Sequence, residues 1–220
     1  MQKSVFISAL TILFLSSCNY SNKQELETVY QDGRGKPHLT ILQVVDSSQN
    51  TLPWDLSHEM TSILESQIKA FGAIYLEDQE QISTDLEYTQ LAKKIIRNPN
   101  EIDAVNSKTE FLSIVEIIDH QQQAIHDKKN LAHPEATAQL LTIKARVKVY
   151  DLRKAIPSLV LSEIINHEST IPWQMTKVNY KKNHYMTKQY LVTPIGLAHK
   201  QLMHKTAKRI HDYVLLAKSH

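Results

Sequence analysis

Between Leu141 and Tyr150 the chain alternates without a break: Leu141, Ile143, Ala145, Val147 and Val149 are apolar, and Thr142, Lys144, Arg146, Lys148 and Tyr150 stand between them. A period of two sends these sets to opposite sides of an extended strand, so the chain must build a sheet with one face on a core and the other toward water. Ser158 to Thr170 follows after a turn through Arg153 to Pro157 and reads as the hairpin partner. Upstream, Phe111 to His120 is almost continuously apolar, as expected of a central strand covered on both faces. A polar loop, Gln121 to Ala138, joins the two.

The remaining elements follow from their periods. His38 to Asp46 is short, apolar and β-branched, a first buried strand. Pro53-Trp54-Asp55 opens a helix capped by Asp55 or Ser57, with Met60, Ile63, Leu64, Ile68 and Phe71 on one face and Gly72 at its end. Ala73 to Leu76 is a brief second strand. Ser83 or Thr84 caps a second helix to about Arg97, with Leu86, Leu91 and Ile95 inward and Pro99 closing it. Thr193 caps and Pro194 starts a last helix to about Ala217, with Ile195, Ala198, Leu202, Ile210, Val214 and Ala217 inward. The order β-α-β-α-β-β-β-α predicts an α/β fold: a single mixed β-sheet covered by helices, one domain over residues 38–220.

The amino terminus carries different information. Met1 to Ser17 has a positive residue, Lys3, then an apolar stretch from Val5 to Leu15 too short to span a bilayer, then Ser16 and Ser17. Leu15-Ser16-Ser17-Cys18 resembles the bacterial lipobox, which implies a signal peptide over 1–17 and lipidation of Cys18, the chain's one cysteine. Acyl chains at roughly 0.8 kcal/mol per buried methylene hold such a protein on a membrane almost permanently. Asn19 after the cysteine favours the outer membrane by analogy with enterobacterial sorting. Residues 18–37, ending in Asp32-Gly33-Arg34-Gly35-Lys36-Pro37, read as lipidated cysteine and flexible tether. Gly33 and Gly35 lack the preceding strand and the Gly-Lys-Ser/Thr ending of a phosphate loop.

The element order resembles the α/β domain of several envelope lipoproteins: the curli secretion-channel protein, the activators of penicillin-binding proteins and the amino-terminal domain of the Tol β-propeller protein. The matching pieces are Ile41 to Asp46 through Phe71 to Leu76, the strand at Phe111, and Val147-Lys148-Val149-Tyr150-Asp151-Leu152. In that group the last segment leads into a glycine turn, and here Arg153-Lys154-Ala155-Ile156-Pro157 replaces the glycine. Thr193 to His199, Ile210 to Lys218 and Pro53 to Ser57 also resemble a family of uncharacterised chlamydial lipoproteins. The resemblance implies a binding or assembly module without a shared active site.

The residues themselves offer little catalysis. His58-Glu59 and His167-Glu168 lack the second histidine of a metallopeptidase helix. His204 and His211 are two turns apart, roughly 10 Å, too far for one ion, so no metal and no cofactor are expected. No Gly-x-Ser-x-Gly turn exists, and Asp119 and His120 are strand neighbours expected on opposite faces. The pairs Glu77-Asp78 and Asp85-Glu87 fall in loops or at a helix start. A net charge of +2, or +1 once Lys3 leaves with the signal peptide, gives no strong basic field, and nucleic acid is not an expected partner.

Two surfaces remain as candidates. On the last helix Lys200, His204, Lys205, Lys208, Arg209 and His211 lie off the apolar stripe, either as a solvated face or as a contact for anionic lipid or glycan that strengthens as histidines protonate. Between Trp173 and Leu191, Trp173, Tyr180, Tyr185 and Tyr190 mix with Lys177, Lys181, Lys182 and Lys188. This segment reads equally as a partner-binding surface and as a long loop pinned to the sheet by its aromatics. The expected protein is a non-enzymatic periplasmic adaptor, held to the membrane by its amino-terminal lipid and meeting an envelope protein partner. The alternative is a subunit of an oligomeric envelope transport or secretion complex.

Overall fold

The computed structural model describes residues 28–77, 85–104, 109–125 and 137–220. Cys18, the signal peptide and the caps Ser83 and Thr84 lie outside them. The chain divides into two units, Met1–Lys36 and Pro37–His220. In the first, Val29 bridges Gly35 antiparallel, around a turn that Gly33 closes at φ 83°. Asp32 accepts from the backbone N–H and the Nε of Arg34 there, so part of the expected tether is a structured turn.

The second unit is a mixed α/β fold. Six strands form one sheet: β1 (His38–Ile41), β2 (Val45–Asp46), β3 (Tyr75–Leu76), β4 (Phe111–Ala124), β5 (Gln139–Asp151) and β6 (Ser158–Ile171). Their order is β3-β1-β4-β5-β6, with β2 also beside β4. The three helices are α1 (Leu56–Phe71), α2 (Asp85–Arg97) and α3 (Pro194–Lys218). β1 runs parallel to β3 and to β4, as connections through helices require, while β4, β5 and β6 form an antiparallel meander. The single strand expected over His38 to Asp46 is broken after Ile41 into β1 and β2, both paired to β4. β4 also runs beyond His120, because Gln121 to Ala124 keep their backbone pairing with β5 although their side chains are exposed. Pro99 does close α2, and it starts a 3-10 turn, Pro99–Ala104.

Helix ends obey local chemistry. The Asp55 carboxylate caps α1 by accepting from the Ser57 N–H at 2.9 Å, and Gly72 stops it in the left-handed region at φ 71°, where a Cβ would be strained. Thr193 caps α3 through the Gly196 N–H, with Pro194 in the first turn. At its far end, the Arg153 guanidinium grips Asp151 with two nitrogens, at 2.9 and 2.7 Å, and donates to the Ala217 carbonyl at 2.6 Å. Arg153, the first residue of the stretch that stands in place of the turn glycine, therefore ties the β5–β6 turn to the end of α3.

The alternation in β5 is realised as read: Leu141, Ile143, Ala145, Val147 and Val149 are fully buried on the face covered by α1 and α3. α2 covers only part of the opposite face, where Ala92 and Ile95 meet Leu42, Val45, Leu112, Ile114 and Tyr150. Elsewhere that face holds ion pairs, Arg146 with Glu116 and Lys144 with Asp119.

Candidate functional site

Helical arithmetic places one carboxylate wrongly for a soluble helix. Glu59 lies three residues after Leu56 and beside Met60, inside the apolar stripe of α1, and its side chain is fully buried. His199 lies in the stripe of α3 between Ile195 and Leu202 and is also fully buried. The two helices pack together, and His199 Nδ1 meets Glu59 Oε1 at 2.8 Å. Tyr190, at the end of the preceding loop, donates its hydroxyl to the same oxygen, and Trp54 Nε1 donates to Oε2 at 2.7 Å. On the far side, His199 Nε2 lies 2.9 Å from Nε2 of His120 on β4.

His120 reaches this cluster because of a bulge. The β4–β5 register shifts between Ile117 and Asp119, leaving Ile118 unpaired. The extra residue returns His120 to the core face that Ile117 occupies, opposite Ile143, and turns Asp119 to Lys144. Asp119 and His120 do point apart, as the sequence suggests, but it is His120 that finds a buried partner.

Protonation in the cluster is constrained by geometry. Burial alone would push the Glu59 carboxyl up, but hydrogen bonds from His199, Tyr190 and Trp54, with the nearby His199 charge, bring it below its ordinary range. Glu59 is thus a carboxylate with four polar groups committed to it or to its partners. Burial, with Glu59 beside it, pushes the Tyr190 hydroxyl up, so it stays a donor. Between two facing Nε2 atoms only one can carry a hydrogen, so His120 and His199 cannot both be imidazolium. Burial first, and His199 second, bring His120 down to about 4. Farther along the same face, His167 on β6 pairs in register with Ile143 and takes Lys205 Nζ at 3.4 Å on its Nδ1. Burial, Lys205 and His199 lower its pKa too.

The cluster anchors the loop from Pro172 to Val192. Trp54 is its hub, with ring centroids 5.4 Å from Tyr190, 6.1 Å from Tyr180 and 6.3 Å from Tyr185. The Tyr185 hydroxyl also meets His58 Nδ1 at 2.6 Å. Gly196 lets the loop close on α3: a Cβ there would stand 2.2 Å from the Tyr190 carbonyl oxygen. Of the residues expected to bind a partner, Tyr180, Tyr185 and Tyr190 turn inward and pin the loop, while Trp173, Lys177, Lys181, Lys182 and Lys188 are exposed.

The basic residues of α3 are differently placed. Arg209 pairs with Glu163, Lys208 with Asp212, and Lys205 with His167, so much of that face is spent internally. His204 meets Gln67, and both His204 and His211 pack on the Phe71 ring. No group of three or more His, Cys, Asp or Glu among the described residues could hold a metal ion, and none of their helices is long and apolar enough to cross a membrane. Sequence reasoning missed Glu59 and His199 as a pair. The signal available was a charged and a polar residue each seated on the apolar stripe of its helix.

Fold and site together define a helix-covered mixed sheet in which a half-buried tryptophan and a buried Glu–Tyr–His–His network fasten a basic loop. The chain belongs to a family of unknown function, DUF7499, which it matches over residues 25–218. No curated protein matches it significantly. Among solved structures it is similar to the hypothetical protein CT253 from Chlamydia trachomatis, at 20% identity and a TM-score of 0.63, covering 82% of this chain and 98% of that one. That likeness is one of fold. Matches at lower TM-score include lipoprotein GNA1162 from Neisseria meningitidis (0.36, 8% identity, 66% and 89% covered) and a minor lipoprotein from Acinetobacter baumannii (0.41, 9%, 79% and 91%).

Two outcomes test the network. His120 has a folded pKa near 4 against 6.5 in the open chain, so between these values the unfolded state binds a proton that the folded state refuses. Stability therefore falls as pH drops from about 6.5 toward about 4, and urea unfolding should show a loss of about 2 kcal/mol between pH 7 and pH 5. His120→Gln should remove most of that slope, and an unchanged slope would exclude His120 as its source. Gly196→Ala should cost about 1–3 kcal/mol through the forced retreat of Tyr190. Urea unfolding of that variant indistinguishable from the parent would show the approach to be relaxed easily.

Proposed function

We propose that this chain is a lipid-anchored lipoprotein of the bacterial envelope, on the periplasmic side of the outer membrane, serving as a non-enzymatic binding and assembly module. Cys18 in Leu15-Ser16-Ser17-Cys18 supports the anchor. The single observation that carries the binding role is the use made of the chain's acid–base groups. Glu59, His199, Tyr190 and His120 are spent on one another in the core, and what they hold in place is a loop whose lysines face outward. Catalysis requires such groups to meet a substrate, whereas a display surface requires them to fix a loop. The contact surface is then Trp173, Lys177, Lys181, Lys182 and Lys188, and the component it meets in the envelope is anionic.

A second reading, an oligomeric subunit, is favoured by β6. This fourteen-residue strand closes one end of the sheet, with one side paired to β5 and with Leu159 and Ile164 exposed. Long edge strands invite pairing with another copy.

Mass spectrometry of natively produced protein should find Cys18 as the acylated first residue, and a bare Cys18 or a retained leader would remove the anchor. Crosslinking in envelope membranes should lose its captured components when Lys177, Lys181, Lys182 and Lys188 are all replaced by Gln. Retention of every one would mean that another surface makes the contact. Light scattering on the purified chain should report a monomer, and a stable oligomer abolished by Ile164→Lys would favour the second reading instead.

A further inference from the structure

From Ser169 to His211 the chain contains no aspartate or glutamate. The cations of α3 within that stretch are largely paired, but Lys177, Lys181, Lys182, Lys188 and Lys200 are exposed and form no ion pair with a described carboxylate. One exposed carboxylate, Asp55, lies close enough to Tyr185 to act on it, and it is engaged as the cap of α1. Set among these lysines are large apolar side chains that the fold leaves in water: Trp173 at 42% exposure, Met186 at 70%, Leu191 at 55%, Val192 at 69% and Leu197 at 45%. Trp173, Met186, Leu191 and Val192 are outward although the tyrosines of the same loop turn inward, so the loop packs through its tyrosines and leaves these apolar side chains in water.

Resting on the reading of this loop as the contact surface, we infer that its occupant is the face of an anionic phospholipid bilayer, with Trp173, Met186, Leu191 and Val192 entering the headgroup boundary and the four loop lysines meeting phosphate. Three observations favour lipid over an acidic protein. All four loop cations are lysine and none arginine, whereas protein interfaces enrich arginine and deplete lysine. Lysine stems lie along apolar surface while their ammonium groups reach the interface, which suits a bilayer edge. Three of the four Trp and Tyr side chains of the loop, Tyr180, Tyr185 and Tyr190, are already spent against Trp54, which leaves Trp173 alone among them to face outward. Lipidation at Cys18 would add an effective bilayer concentration on the order of mM, so even weak docking is populated.

The test uses the natively acylated chain in phosphatidylcholine vesicles with and without phosphatidylglycerol. Met186→Cys carries an environment-sensitive fluorophore, since an acylated Cys18 cannot take the label. With phosphatidylglycerol the fluorophore should shift to the blue and be quenched by brominated lipids. Each lysine near such a surface contributes about fivefold to partitioning, so the four-lysine→Gln variant should lower the docked fraction at least about tenfold, as should high salt. A fluorophore that stays in water on anionic vesicles overturns the proposal, and so does equal docking on neutral vesicles or by the variant. A photocrosslinker at position 186 that captures an acidic envelope protein and no lipid overturns bilayer docking but leaves the loop as the contact surface.

Discussion

A single carboxylate organises this molecule. Taking Glu59 out of water costs several kcal/mol, and the cost is offset only where donors converge on both oxygens. Here they come from two stretches of chain far apart in sequence: Trp54 just before α1, and Tyr190 with His199, at the end of the long loop and on α3. No apolar residue at position 59 would require those three elements in one arrangement. An apolar core tolerates many packings of similar volume, whereas a buried charge tolerates few. The network thus fixes register between α1, the loop and α3, and through His120 it reaches the sheet.

The close passage of the loop over α3 follows from the same requirement. For its hydroxyl to reach Glu59, Tyr190 must bring its backbone against the first turn of the helix, where only a glycine leaves room for the carbonyl. Thr193 then takes two roles, accepting from Gly196 N–H as cap and donating to the Tyr190 carbonyl. Loop end, cap and helix start form one unit, so the loop's exposed side chains stand on a rigid base rather than on a free segment.

What the sequence made legible was whatever depends on local period. The alternation from Leu141 to Val149, the apolar run at Phe111, the Asp55 and Thr193 caps and the Gly72 stop each follow from a few neighbouring residues, and the observed elements agree with them. Breaks in period were not legible. Nothing in the string Ile117-Ile118-Asp119 marks Ile118 as an extra residue, yet that bulge decides which way His120 faces. The polar run Gln121 to Gln123 reads as loop because its side chains are hydrophilic, while its backbone remains in the ladder. The site was half visible. The aromatic and basic loop was identified, but its division into inward tyrosines and outward lysines depends on Trp54, more than a hundred residues upstream, and so on a tertiary contact that no window of sequence contains.

The two basic surfaces show why composition alone cannot assign a binding face. Both the helix and the loop carry cations at similar density, and a count of lysines ranks them equal. They differ in what neighbouring strands and turns supply. Glu163 on β6 and Asp212 within α3 answer the helix cations, so bringing an anion there must first break an existing pair. No described carboxylate answers the loop lysines, and their charge remains available at no such cost. An unpaired cation beside uncovered apolar surface is the less stable arrangement for an isolated chain in water, because folding gains nothing from either. The fold nevertheless holds that arrangement rigidly with its most deeply buried polar contacts. Rigidity at the base and unspent chemistry at the tip are what separate a loop made to meet something from one that merely connects β6 to α3.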